Sequence, residues 1–135
     1  MIIVLANGCF DPLHWGHLKH LEEAKSLGDW LVVSVTADHK IGKEGHPVFS
    51  QNERAEMVAA LRCVDEVMIV ASAGEAIEIL KPDVFVKGAE YDGKLKEKEL
   101  VERFGGKCAF TTGPVYSSTK LLASGYFKLP SAVGG

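Results

Sequence analysis

Cysteine is scarce in this chain of 135 residues, with Cys9, Cys63 and Cys108 its only three. The count is odd and no two stand in a CxxC pair. Neither a disulfide framework nor a zinc cage fits, and reduced thiols in a cytoplasmic protein are expected. Long apolar runs are also missing, which excludes a membrane-spanning helix. The opening segment Met1-Ile2-Ile3-Val4-Leu5-Ala6 has no basic residues. Its six apolar residues are too few for a secretory signal, so it reads as a first strand. Neither sign of charge dominates: 15 Lys and Arg face 18 Asp and Glu, a net charge of −3. No cationic cluster is dense enough for a nucleic-acid partner, so a small ligand is expected, held by a few local cations if it is anionic. Repeats, low-complexity tracts and linkers are absent, and residues 1–135 read as one domain.

The composition that is present is globular. Apolar residues make up 47% and charged residues 24%, enough for a core without staples and too apolar for disorder. Short β-branched and aromatic runs fall at residues 1–6, 29–36, 64–70, 83–87 and 107–112, each bounded by turn residues. Such runs suit strands buried on both faces of a parallel sheet. Helical patterns lie between them. Leu18, Leu21, Ala24 and Leu27 precede Gly28 as a stop, and Ser50-Gln51-Asn52-Glu53 is a capping box. Ala76, Ile77 and Leu80 run up to Pro82, and Leu100, Val101 and Phe104 run up to Gly105-Gly106. A fifth helix is expected over 119–127 behind Ser117-Ser118. The alternation predicts a doubly wound α/β domain with a five-stranded parallel sheet and helices on both faces. Ligands then bind beyond the carboxyl ends of the strands. The connection His39–Phe49 has no periodic pattern and reads as a functional loop.

The first crossover is the most informative stretch: Asn7-Gly8-Cys9-Phe10-Asp11-Pro12-Leu13-His14-Trp15-Gly16-His17. It leaves a strand and enters a helix, whose free N–H groups and positive end attract anions. Gly8 and Gly16 allow close approach of a phosphate. His14 and His17, three apart, share one face of the first turn. Two imidazole donors there suit a phosphoryl group that gains charge in a transition state. His20 falls a turn further on and reads as a surface residue. The three histidines do not make a metal site, since no Cys or carboxylate is placed to complete one. Gly88-Ala89-Glu90-Tyr91-Asp92-Gly93-Lys94-Leu95 matches part of a P-loop pattern. Leu95 stands where Ser or Thr is needed, and Glu90 and Asp92 would repel phosphate, so it is not read as one.

Gly8 to His17 resembles the HxGH signature of the cytidylyltransferase-like nucleotidyltransferases. Asn52-Glu53-Arg54 with Val64-Asp65-Glu66-Val67 resembles that family's arginine-bearing helix and next strand. Pro82-Asp83-Val84-Phe85-Val86-Lys87-Gly88-Ala89-Glu90-Tyr91 resembles a segment of the heptose-1-phosphate adenylyltransferases, with Glu90 in place of their aspartate. Tyr116-Ser117-Ser118-Thr119 resembles the family's ISTT segment. Leu13 to His17 and Asp92-Gly93-Lys94 are similar to the glycerol-3-phosphate cytidylyltransferases. Those enzymes carry Arg-Thr before the ISTT segment, whereas Thr111-Thr112-Gly113-Pro114-Val115 holds no arginine, which favours ATP over CTP.

The resemblance implies a Rossmann-like, HUP-type fold and an enzyme that transfers a nucleoside monophosphate from an NTP to a sugar or polyol phosphate, with release of pyrophosphate. It implies His14, His17, Lys43 and Arg54 as catalytic residues. Arg54 opposes the dipole at its helix start, which points to a ligand-side role. Gly8, Cys9, Phe10, Asp11, Gly16, Lys40, Lys87, Gly88, Glu90, Ser117, Ser118 and Thr119 are implied to bind nucleotide. Mg²⁺ is expected with the triphosphate, with Asp11 the carboxylate nearest to it and no cage of protein ligands. The resemblance also implies a homodimer. A nucleotide-binding module without turnover is the alternative of another class.

Overall fold

A computed structural model of the chain describes residues 1–113. Five strands form one all-parallel sheet: β1 (Ile3–Gly8), β2 (Trp30–Thr36), β3 (Glu66–Val70), β4 (Val84–Gly88) and β5 (Lys107–Thr111). Their spatial order is β3-β2-β1-β4-β5. The helices are α1 (Trp15–Lys25), α2 (Gln51–Ala59), α3 (Ala73–Leu80) and α4 (Lys98–Arg103), with short 3₁₀ turns at Asp38–Lys40 and Ala89–Tyr91. The expected α/β architecture and all five expected strands are present. The fifth helix expected over 119–127 lies outside the described residues.

Alternation along β1 explains the two-sided core. Val4 and Ala6 join Leu21, Leu31 and Val58 on one face of the sheet. Leu5, between them, joins Ile77, Phe85 and Val101 on the other. A strand at the middle of a doubly covered sheet must be apolar at every position, which is why the run 3–6 shows no polar residue.

The chain steps outward from β1 through β2 to β3, then returns to the other side of β1 through β4 to β5. The direction therefore reverses between β1 and β4, which pair directly through Val4↔Val84, Leu5↔Phe85 and Ala6↔Val86. At this point the two crossover connections diverge and leave a crevice beyond the carboxyl ends of both strands. At the opposite edge, aspartates before strands satisfy backbone donors. Asp29 accepts from Ile2 N at 2.7 Å and Asp83 from Ile3 N at 2.8 Å. Asp65 accepts from Leu31 N at 2.7 Å and from Lys25 Nζ at 2.6 Å.

Helix ends follow local chemistry. The predicted capping box at Ser50 forms, with Ser50 Oγ accepting from Glu53 N and Glu53 Oε1 accepting from Ser50 N. Gly28 does not cap α1, which ends at Lys25 with Ser26 as its C-cap. The α4 stop is as expected: Gly105 takes φ +86°, Gly105 N donates to Glu102 O, and Gly106 N donates to Val101 O. This is a Schellman pair, and it brings Gly106 against the neighbouring backbone. A Cβ at Gly106 would stand 2.4 Å from the Pro82 carbonyl oxygen. Gly106→Ala should therefore lower the unfolding free energy by at least about 2 kcal/mol in denaturant titration. An unchanged midpoint would show that the close approach is not needed.

Candidate active site

The helix α1 begins with a reciprocal cap built from two histidines. His14 is the N-cap, extended at φ −143° and ψ 178°. Its Nδ1 accepts from Gly16 N at 3.1 Å. Three residues on, His17 Nδ1 accepts from His14 N at 3.2 Å. Imidazoles thus occupy the places that Ser and Glu hold in an ordinary capping box, and two orphan N–H groups are satisfied. The capping role and the anion-binding role are held by the same two rings.

A ring nitrogen that accepts a hydrogen bond carries no proton. In each neutral ring the proton therefore sits on Nε2, the nitrogen facing away from the helix backbone. The rings stack with centroids 3.9 Å apart at 25°. Phe10 meets His17 edge-on at 5.0 Å. The Phe10 backbone is left-handed at φ +52°, an unusual conformation for a bulky residue. It turns the ring inward, where it is buried. On its Cβ side Gly8 has no room for a side chain, since a Cβ there would lie 2.9 Å from Phe10 Cζ.

Burial lowers the pKa of His14. Burial, followed by the charges of His14 and His20, lowers that of His17 to about 4. Neutral donors rather than cations therefore face the ligand at neutral pH. The sign for stability follows from linkage. The unfolded chain, with a histidine pKa near 6.5, takes up this proton before the folded chain does, so acidification from about pH 6.5 to 4 costs stability.

The pair opens on a cleft of about 460 Å³ at the β1/β4 crevice. Its floor is Asn7 and Gly8 from β1 with Lys87 and Gly88 from β4, and Lys43 reaches it from the long loop. Gly16, Phe10 and Glu90, which the resemblance implies as nucleotide-binding, also line it. Burial lowers the Lys87 pKa against the opposing charges of Glu97, Cys9 and Glu90. The Lys87 ammonium sits 4.9 Å over the Tyr91 ring.

Several predicted residues stand elsewhere. Arg54 is wholly buried. Its Nη1 donates to Cys9 O at 2.8 Å and Thr36 O at 2.7 Å, its Nε to Phe49 O at 2.9 Å and its Nη2 to Asp38 Oδ1 at 2.6 Å. The ligand-side role read for Arg54 is corrected to one of holding three loops together. Asp11 is likewise engaged: both carboxylate oxygens accept from the long loop, and its side chain is 2% exposed. Burial would raise the Asp11 pKa, but Phe49 N, Val48 N and His46 outweigh it and hold the carboxyl below its ordinary value. Asp11 therefore offers no free oxygen to a magnesium ion. Lys40 and Cys9 are exposed and do not line the cleft. Ser117, Ser118 and Thr119 lie outside the described residues.

His20 corrects the surface reading. It is half-buried, lines the cleft, and its Nδ1 lies 2.9 Å from Thr111 Oγ1. Burial and the charge of Lys87 lower its pKa, partly offset by Glu23 and Glu90. The repeat 14, 17, 20 was the available signal, since three-residue steps keep side chains on one helix flank. Asn7 was also missed. Its Nδ2 donates to Ser34 Oγ at 2.8 Å and to Ser34 O at 3.2 Å, which fixes the amide at the cleft floor. No His, Cys, Asp and Glu group of three able to hold a metal ion occurs among the described residues. No helix among them is long and apolar enough to cross a membrane.

The chain is similar to several known proteins. A family model described as cytidylyltransferase-like matches residues 5–121. The bifunctional protein HldE of Syntrophotalea carbinolica is 41% identical over 111 residues, covering 78% of this chain and 23% of that protein. HldE of Campylobacter jejuni subsp. doylei is 48% identical over 98 residues, covering 69% and 21%. The chain thus spans about a quarter of the length of the curated relatives it matches. The crystal structure of the lipopolysaccharide core biosynthesis protein from Thermoplasma volcanium superposes with a TM-score of 0.69 at 33% identity, covering 87% of this chain and 99% of that one. Pantothenate synthetase from Thermus thermophilus, at 16% identity and a TM-score of 0.63, shares the fold over 90% of this chain and 59% of its own.

His17→Gln and His14→Asn place an acceptor where each Nδ1 stands and so preserve the cap. Each should cut turnover at least about 10²-fold, the scale of losing one transition-state donor. Melting temperature at pH 7.5 should stay close to that of the parent chain. His17→Gln should also lessen the loss of melting temperature between about pH 6.5 and 4. Unfolded variants, or full turnover, would make the histidines purely structural.

Proposed function

We propose that this chain, which belongs to the cytidylyltransferase-like family, is a nucleotidyltransferase that moves AMP from ATP onto a sugar phosphate of the heptose 1-phosphate type, releasing pyrophosphate. The observation that carries this reading is the pair of Nε2–H donors at the start of α1, opening on the crevice where the sheet reverses direction. A phosphate oxygen of the acceptor attacks the α-phosphorus, one P–O bond forms, and the bond to the pyrophosphate oxygen breaks. No covalent intermediate on the protein is needed, so the chain's task is alignment and charge stabilisation.

His14 and His17 donate to phosphate oxygens that gain charge as pyrophosphate leaves. Being neutral donors, they act on that charge as it develops. Lys43 and Lys87, both lining the cleft, supply positive charge. Ser117, Ser118 and Thr119 are assigned to the β- and γ-phosphates by family resemblance. Mg²⁺ would come with the nucleotide and offset its phosphate charge, and the Asp11 carboxylate, engaged by the loop, is not assigned to hold it.

Similarity to HldE proteins and the heptose-type segment Pro82–Tyr91 support a heptose phosphate acceptor. The lack of an arginine in Thr111–Val115 supports ATP. The test is pyrophosphate release with Mg²⁺, each NTP and a panel of sugar and polyol phosphates. ATP with heptose 1-phosphate should give the highest rate. CTP with glycerol 3-phosphate as the best pair would move the chain to the cytidylyltransferase branch. Nucleotide binding with no pyrophosphate from any pair would make it a binding module.

A further inference from the structure

The loop between the first 3₁₀ turn and α2 carries Lys43 to the cleft, yet little of it is packed. Val48 is 57% exposed and Phe49 37%. Among the described residues, the hydrogen bonds that residues 42–49 make to the rest of the protein all run to Asp11 or Arg54. Arg54 holds only the last of them, through Phe49 O. The remainder converge on one carboxylate. Asp11 Oδ2 lies 2.6 Å from His46 Nδ1 and accepts from Val48 N at 2.8 Å, while Oδ1 accepts from Phe49 N at 3.0 Å.

His46 passes this anchorage on to Lys43. Its backbone N–H donates to Lys43 O at 3.1 Å, closing the turn Lys43-Glu44-Gly45-His46. Gly45 sits at φ +79°, where a side chain would be strained. The turn is thus hung on the His46 ring, and the ring on Asp11. Asp11 itself lies three residues before the His14 cap, so the carboxylate that fixes the cation's loop is in the same connection that presents the imidazoles.

Resting on the nucleotidyltransferase reading, we propose that Asp11 and His46 form a clasp that fixes Lys43 over the phosphate-binding cleft, making both of them positioning residues for the transfer. Without the clasp the ammonium belongs to a loop with few anchors, and each encounter with phosphate must pay for ordering it. Asp11 then acts through Lys43, while touching neither nucleotide nor metal.

The test is a double-mutant cycle of Lys43→Ala against His46→Ala, repeated with Asp11→Asn in place of His46→Ala. Two quantities are read: kcat/KM for pyrophosphate release with the best NTP and sugar phosphate, and the Kd of inorganic tripolyphosphate by calorimetry. His46→Ala alone should lower kcat/KM and weaken tripolyphosphate binding by about 5-fold, and Lys43→Ala by about 10-fold or more. The double variant should match Lys43→Ala within about 2-fold, because the clasp has nothing left to position. A purely structural His46 would lower melting temperature and multiply with Lys43→Ala, which overturns the proposal. So does an unchanged His46→Ala. His46 is partly exposed, so that arm decides the matter even if Asp11→Asn fails to fold. If the parent chain binds tripolyphosphate but makes no pyrophosphate with any pair, the transferase reading fails while the cycle is still read on Kd.

Discussion

Two backbone N–H groups at the start of α1 need partners, and imidazole nitrogens take both of them. That requirement decides the chemistry of the site. An N-cap acceptor must be unprotonated, so the capping geometry selects one tautomer for His14 and for His17 and leaves each ring with a single outward donor. Serine or aspartate would cap as well, but would have no second nitrogen to present. Stacking at 3.9 Å and the edge of Phe10 then hold the rings side by side. Burial keeps them neutral, and the cost of that neutrality is sensitivity to acid.

Two buried charged groups hold the surrounding loops. The Arg54 guanidinium gathers carbonyls from the first crossover, the end of β2 and the foot of the long loop, and Asp11 gathers amides from that same loop. Neither element has enough apolar surface to fix itself, so a fork of donors and a fork of acceptors do the work that packing does in the sheet. Removing either would leave buried polar groups unpaired, which costs more than an exposed ion pair contributes.

Much of this was legible in the chain itself. Runs such as Val32-Val33-Ser34-Val35 have no polar face and fit only a doubly covered strand, and the resulting order put the first crossover at the ligand edge. The spacing of His14 and His17 was equally readable, because a three-residue step on a first helical turn is local information. What could not be read were the non-local contacts. Arg54 at a helix start looks exposed until Cys9, Thr36 and Phe49 are seen to turn their carbonyls toward it. Asp11 looks like a metal ligand until the loop 35 to 38 residues away closes on it. His20 was misread because its neighbour Thr111 comes from the far end of the sheet.

Nitrogen NMR of the histidine rings at neutral pH reads directly where the two ring protons sit. His14 and His17 should both show an unprotonated Nδ1 and a protonated Nε2, and the Nε2 signals of both should shift when magnesium and ATP are added. A proton on Nδ1 of either ring, an imidazolium at neutral pH, or Nε2 signals indifferent to the nucleotide would contradict this.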